Sequence, residues 1–172
     1  SLLSIGLSYM IDEQYNEGFD TVLIAYERFK QANNLINMSY VSSVLSSNYL
    51  GIKQYDQALL WGKSSLSSAY RANDSTTIVN SLLNIGEIYT KMQQPDSAEY
   101  YLTKGLQSGT NAVRTGDLLN VYYNLSVVAA LRNDDATQFK WLSKFIEAEK
   151  NFKSRFPVHS FDVKTSLGFY YF

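Results

Sequence analysis

The chain has 172 residues, 45 % of them apolar and 15 % aromatic, which is enough to close a hydrophobic core and too apolar for a disordered chain. Fifteen Lys and Arg against sixteen Asp and Glu leave a net charge of −1, without the basic surplus that nucleic-acid binding draws on. There is no cysteine, so disulfide scaffolds, thiolate metal sites and cysteine nucleophiles are excluded.

Taken in chain order, five short motifs share one pattern. They are Ile5-Gly6-Leu7-Ser8-Tyr9, Leu45-Ser46-Ser47-Asn48-Tyr49, Ile85-Gly86-Glu87-Ile88-Tyr89, Leu125-Ser126-Val127-Val128-Ala129 and Leu167-Gly168-Phe169-Tyr170-Tyr171. The small residues fall at 6, 46, 86, 126 and 168, each preceded by Leu or Ile, and four of the five units carry Tyr three residues on. A shared phase at a period near 40 is the signature of a repeat architecture. Within a unit, apolar residues such as Ile78, Leu82, Ile85 and Tyr89 recur at helical spacing, which predicts a first helix. A polar turn follows, as in Lys91 to Pro95. Asp96 is then expected as the N-cap of a second helix, with Glu99 completing a capping box and with Asp56 and Asn16 at the equivalent positions. Ala58 and Ala98 place small residues where the two helices cross.

These residues resemble the tetratricopeptide repeat (TPR), whose signature runs W-x2-L-G-x2-Y and then A-x3-F. The third unit carries the resemblance best, through Ile85, Gly86, Tyr89, Ala98 and Leu102. The first supplies Leu2, Ile5, Gly6, Tyr9, Gly18, Val22 and Ala25, and the second Leu45, Ser46, Tyr49 and Ala58, with Gly62 where a large residue is usual. Three features depart from the family: a period of 40 rather than 34, no proline closing the second helix, and Gln138 and Phe145 where the fourth unit should have small residues. The resemblance implies an all-α, right-handed α-α superhelix of helix-turn-helix repeats. The expected units are residues 1–38, 39–78, 79–118 and 119–160, with a partial fifth at 161–172. Ser1 to Ile5 carry no initiator Met and no basic leader, and Leu167 to Phe172 would leave an apolar helix uncovered. Both ends therefore read as cuts from a longer protein, with self-association through the uncovered last helix as one consequence.

Little in the chain supports catalysis. The single histidine, His159, follows Pro157 in an irregular stretch, and no residues have zinc-ligand spacing or form a Gly-rich phosphate loop. Asp134-Asp135 form a carboxylate pair in a predicted inter-helix turn, where N-capping is their natural work. The expectation is a non-enzymatic protein with no cofactor and no metal. Asparagine is more informative. Asn80 and Asn84 lie four apart on a first helix, and Asn120 and Asn124 repeat the pair forty residues on. Asn is a mediocre helix former, and its amide both donates and accepts, which matches a peptide backbone. In TPR arrays the first helices line the concave groove, and the pattern is similar to a short version of the asparagine ladder of O-linked N-acetylglucosamine transferase. Ser4, Val44 and Ser166 take the ladder position in the other units. TPR proteins that hold chaperone C-termini use cations instead, whereas the matching places here are Tyr40, Ser43, Leu83, Asn120 and Tyr123.

The reading from sequence is a scaffold that binds a protein or peptide segment in the groove through Tyr40, Asn80, Asn84, Glu87, Asn120, Tyr123 and Asn124. No nucleic acid and no membrane span are expected in this segment. The alternative is a sensor or oligomerisation region of a larger bacterial signalling protein, since Asp96 to Leu102 look like second helices in membrane-tethered regulators. Periplasm and cytoplasm are both compatible with the chain, with a lean to the periplasm.

Overall fold

The computed structural model describes residues 15–108 and 115–155, and these are all-α. Seven helices follow one another: α1 (Tyr15–Gln31), α2 (Leu35–Gly51), α3 (Tyr55–Ala72), α4 (Ser75–Lys91), α5 (Pro95–Ser108), α6 (Thr115–Leu131) and α7 (Asp135–Arg155). One compact unit holds α1 to α5 and a second holds α6 and α7. In the first unit each helix packs on the next, and α2 also meets α4. In the second, α6 and α7 form a hairpin. The motifs near residues 6 and 168, His159 and the proposed partial unit 161–172 lie outside the described residues.

The helices are separated by one turn used five times. Asn33, Lys53, Asn73, Gln93 and Asn133 each take a left-handed φ between 49 and 60°. At each, two reverse hydrogen bonds close the preceding helix, as in Asn33 N to Lys30 O and Asn34 N to Phe29 O. This is the Schellman closure, and it satisfies carbonyls that the helix end leaves open. The next residue's carbonyl already accepts the first bond of the following helix, for example Met38 N to Asn34 O and Ala98 N to Gln94 O. Asparagine at three of the five places suits a conformation that costs most side chains about 1–2 kcal/mol.

This turn corrects the expected caps. The residue after the left-handed one is the cap, so the caps of α3 and α5 are Gln54 and Gln94, and Asp56 and Asp96 sit in the first turn. A carboxylate there still favours the positive end of the helix dipole. Pro95 occupies the first helical position, where its missing N–H costs nothing. Asn16 is the second residue of α1. Side-chain caps occur instead at Asn34, Asp74 and Asp134, whose Oδ1 atoms accept from Asn37 N, Thr77 N and Thr137 N at 3.1, 3.1 and 3.0 Å. The helix pairs begin at Leu35, Ser75 and Thr115, four residues ahead of the unit starts at 39, 79 and 119. The turns, not the Gly-Tyr motif, mark where a pair begins.

Packing within the pairs is set by small residues. Ser46 Oγ donates to Ala58 O at 2.8 Å, and Ser65 Oγ lies 2.8 Å from both Ser39 O and Ser81 Oγ, so a buried seam of serines joins α2, α3 and α4. Between α4 and α5 the seam becomes apolar: Leu102 seats over Gly86, and Leu83 over Gly105. A methyl group at Gly86 would sit 2.6 Å from Leu102 Cγ and 3.0 Å from its backbone nitrogen. The tyrosines cover these crossings. Tyr49 stacks on Phe19 at 4.6 Å and Tyr89 on Tyr101 at 5.5 Å.

Candidate functional site

The predicted site residues divide between the two units. Tyr40 stands on α2 and Asn80, Asn84 and Glu87 on α4, whereas Asn120, Tyr123 and Asn124 stand on α6.

In the first unit, α2 and α4 pack side by side, which brings their repeat-matched faces together. Tyr40 is half exposed and Asn80 partly so. Asn84 reaches across to the neighbouring helix, its Nδ2 donating to Ser47 Oγ at 3.2 Å. Its carbonyl oxygen is enclosed and accepts no hydrogen bond among the described residues. An enclosed acceptor without a donor costs about 1–3 kcal/mol, so this amide is held at the expense of stability. Glu87 and Lys91 follow one and two turns along the same helix. Burial holds the Lys91 ammonium below its ordinary 10.5, and Glu87 opposes that shift.

Ser47 is the member that sequence reasoning missed. The ladder alignment points to Val44, forty residues before Asn84, yet the hydroxyl that meets the amide is three residues further along α2. A long amide on one of two side-by-side helices can meet the neighbour one turn away from its alignment partner, so the usable signal was a serine within a turn of the matched position.

In the second unit the matching amide behaves differently. Asn124 is 2 % exposed, and its Nδ2 donates to Asn120 O at 3.0 Å and to Asn120 Oδ1. Both ladder asparagines are therefore engaged, one across helices and one along its own. Asn120 is exposed, and the Tyr123 ring lies 6.4 Å from that of Phe145.

Asp134 caps α7, as the acid pair suggested, and the Thr137 hydroxyl and backbone hold its carboxylate below the ordinary 3.8. Among the described residues no cluster of three His, Asp or Glu is placed to hold a metal ion, and no helix is long and apolar enough to cross a membrane. In comparisons with known proteins, no family model matches the chain and no curated protein matches it.

Proposed function

We propose that this chain is a non-enzymatic binding scaffold of TPR type, a solenoid whose first helices take an extended protein or peptide segment. The observation that supports the reading best is the amide of Asn84. It stands between α2 and α4 with a donor engaged and an acceptor unsatisfied, and the same helix pair carries the exposed ring of Tyr40. A small rotation of that side chain would offer the carbonyl to a backbone N–H of a bound segment. Tyr40 would supply contact area at low entropic cost, and Asn80 a second amide. The forty-residue repeat and its Gly, Tyr and Ala positions support the family reading by resemblance in residues.

The test is peptide-display selection against the purified chain, with Asn84→Ala and Tyr40→Ala as separate counter-screens. Peptides lost from both variants, with helicity unchanged by circular dichroism, are the expected result. Failure to enrich any peptide, or enrichment that both variants retain, would remove the groove as the binding face.

A further inference from the structure

Charge is divided unevenly between the helices of the first unit. α2 carries no acidic or basic side chain along its whole length, and on α4 only Glu87 and Lys91, in its last two turns, are charged. By contrast α3 holds Asp56, Lys63 and Arg71, and α5 holds Asp96, Glu99 and Lys104. Asp74, the cap that opens α4, commits both carboxylate oxygens to Thr77.

Apolar exposure is uneven as well. Ile36, Tyr40, Ser43 and Ser47 recur at intervals of four, three and four, which sets them in one stripe along α2. Met38, Val41 and Leu45, interleaved with them in the chain, are buried, whereas Ile36 is 60 % and Tyr40 50 % exposed. The stripe therefore has an apolar end and a serine end. The serine end is fixed against α4, because Ser47 Oγ accepts from Asn84 Nδ2 at 3.2 Å. The enclosed Oδ1 of the same amide has no donor among the described residues.

Helix geometry turns this stripe into a spacing. Ile36 and Tyr40 stand about 6 Å apart along the α2 axis, and Tyr40 about 10 Å from Ser47. An extended chain advances about 3.3 Å per residue and points alternate side chains the same way, so residues i and i+2 of one strand reach Ile36 and Tyr40 together. About three residues further on, its backbone passes the level of Asn84. A bound helix would match the same spacing with residues i and i+4, but its backbone N–H groups are spent within the helix, and the Asn84 oxygen needs one. A charged side chain on this stretch would lose water without gaining a counter-charge from α2.

We propose that the partner segment is an extended, uncharged strand whose apolar side chains at i and i+2 seat on Ile36 and Tyr40, with a backbone N–H about three residues away bonded to Asn84 Oδ1. This ligand chemistry rests on the peptide-binding reading of the same groove.

The experiment is selection of a random peptide display library on the full chain, followed by fluorescence anisotropy of the top synthetic peptide. The expected consensus has two aliphatic or aromatic residues at i and i+2 and no charged residue between or beside them. Its affinity should change less than about threefold between about 50 and about 500 mM NaCl, since salt weakens charge pairing and leaves apolar contact in place. Ile36→Ala and Tyr40→Ala, both at exposed positions, and Asn84→Ala should each weaken binding roughly three- to tenfold, with helicity unchanged by circular dichroism. Moving the apolar pair to adjacent positions in the peptide should cost at least as much. A consensus rich in acidic or basic residues, a pair spaced i and i+4, a larger loss with salt, an adjacent pair that binds as well, or affinity that Ile36→Ala and Tyr40→Ala leave intact would overturn this ligand, while a loss in Asn84→Ala would keep the groove. Failure to enrich any peptide, or affinity that all three variants leave intact, would remove the groove and this ligand with it.

Discussion

The hairpins α4–α5 and α6–α7 stand forty residues apart in one repeating pattern, yet they are packed by opposite means. In α4–α5 both crossings are a leucine over a glycine, Leu102 on Gly86 and Leu83 on Gly105. Forty residues on, those pairs become Leu142 with Ser126 and Tyr123 with Phe145. The second pair is now two rings 6.4 Å apart, tilted by 58°. Ala98, fully buried on α5, is replaced by Gln138, and no side chain described on α7 is fully buried. Glycine lets two helices approach until a leucine fills the gap, while in α6–α7 a contact between two aromatic rings stands at the second of these positions. The same repeat can thus be closed by volume or by ring contact.

The largest expected effect separates the two closures directly. Leu102→Ala empties a fully enclosed site and should cost about 3 kcal/mol, against about 1 kcal/mol for Leu142→Ala at the half-buried counterpart. Urea unfolding of both variants measures the gap, and equal costs would erase the contrast. Next comes Gly86→Ala. The new methyl meets a backbone nitrogen that cannot swing away, an overpacking cost of about 1–3 kcal/mol. Relief of the helix-interior glycine returns roughly 1 kcal/mol, so a net loss of about 0–2 kcal/mol, centred near 1 kcal/mol, is expected. Ser126→Ala only removes a hydroxyl that donates to Tyr123 O at 2.7 Å, and its loss should stay near 0.5 kcal/mol. Thermal melts that rank the two variants in reverse would mean that the glycine contact is not what closes α4–α5.

A smaller effect concerns what the hairpins share. Asp74 opens α4 and Asp134 opens α7, and in both the threonine three residues on pulls the carboxyl below the ordinary 3.8, chiefly through its hydroxyl. A lowered folded-state pKa stabilises above the unfolded value, and that stability is lost as pH falls through the folded value. Both units should therefore lose stability below about pH 4 from their caps. Asp74→Asn, which copies the neutral cap Asn34, should flatten the acid limb of the first unit while retaining most of a cap worth about 1 kcal/mol. An acid limb unchanged in Asp74→Asn would assign the pH response to other carboxylates.

The all-α content and the forty-residue phase were legible because Gly86, Tyr89 and Ala98 meet constraints that a single sequence displays: a small residue where helices cross and a ring above it. The Asp134 cap was legible for the same reason, since a capping side chain acts on its own backbone. The caps of α3 and α5 were missed by two residues, because Gln54 and Gln94 cap through their backbone carbonyls after a left-handed residue. A lysine or glutamine does not advertise such a φ as glycine does. At the candidate site, Asn84 was found and Ser47 was not. Asn124 was matched to Asn84 by position, although it turns back along its own helix.

The order of helices, their pairing and the position of the small-residue crossings follow from the sequence alone, since each depends on local periodicity and on side-chain size. Only tertiary packing decided which of two equivalent asparagines bridges helices and whether a crossing is closed by leucine on glycine or by ring on ring. Those outcomes turn on distances of a few ångströms between residues far apart in the chain. No repeat pattern encodes them, because it records which positions correspond and not how closely they meet.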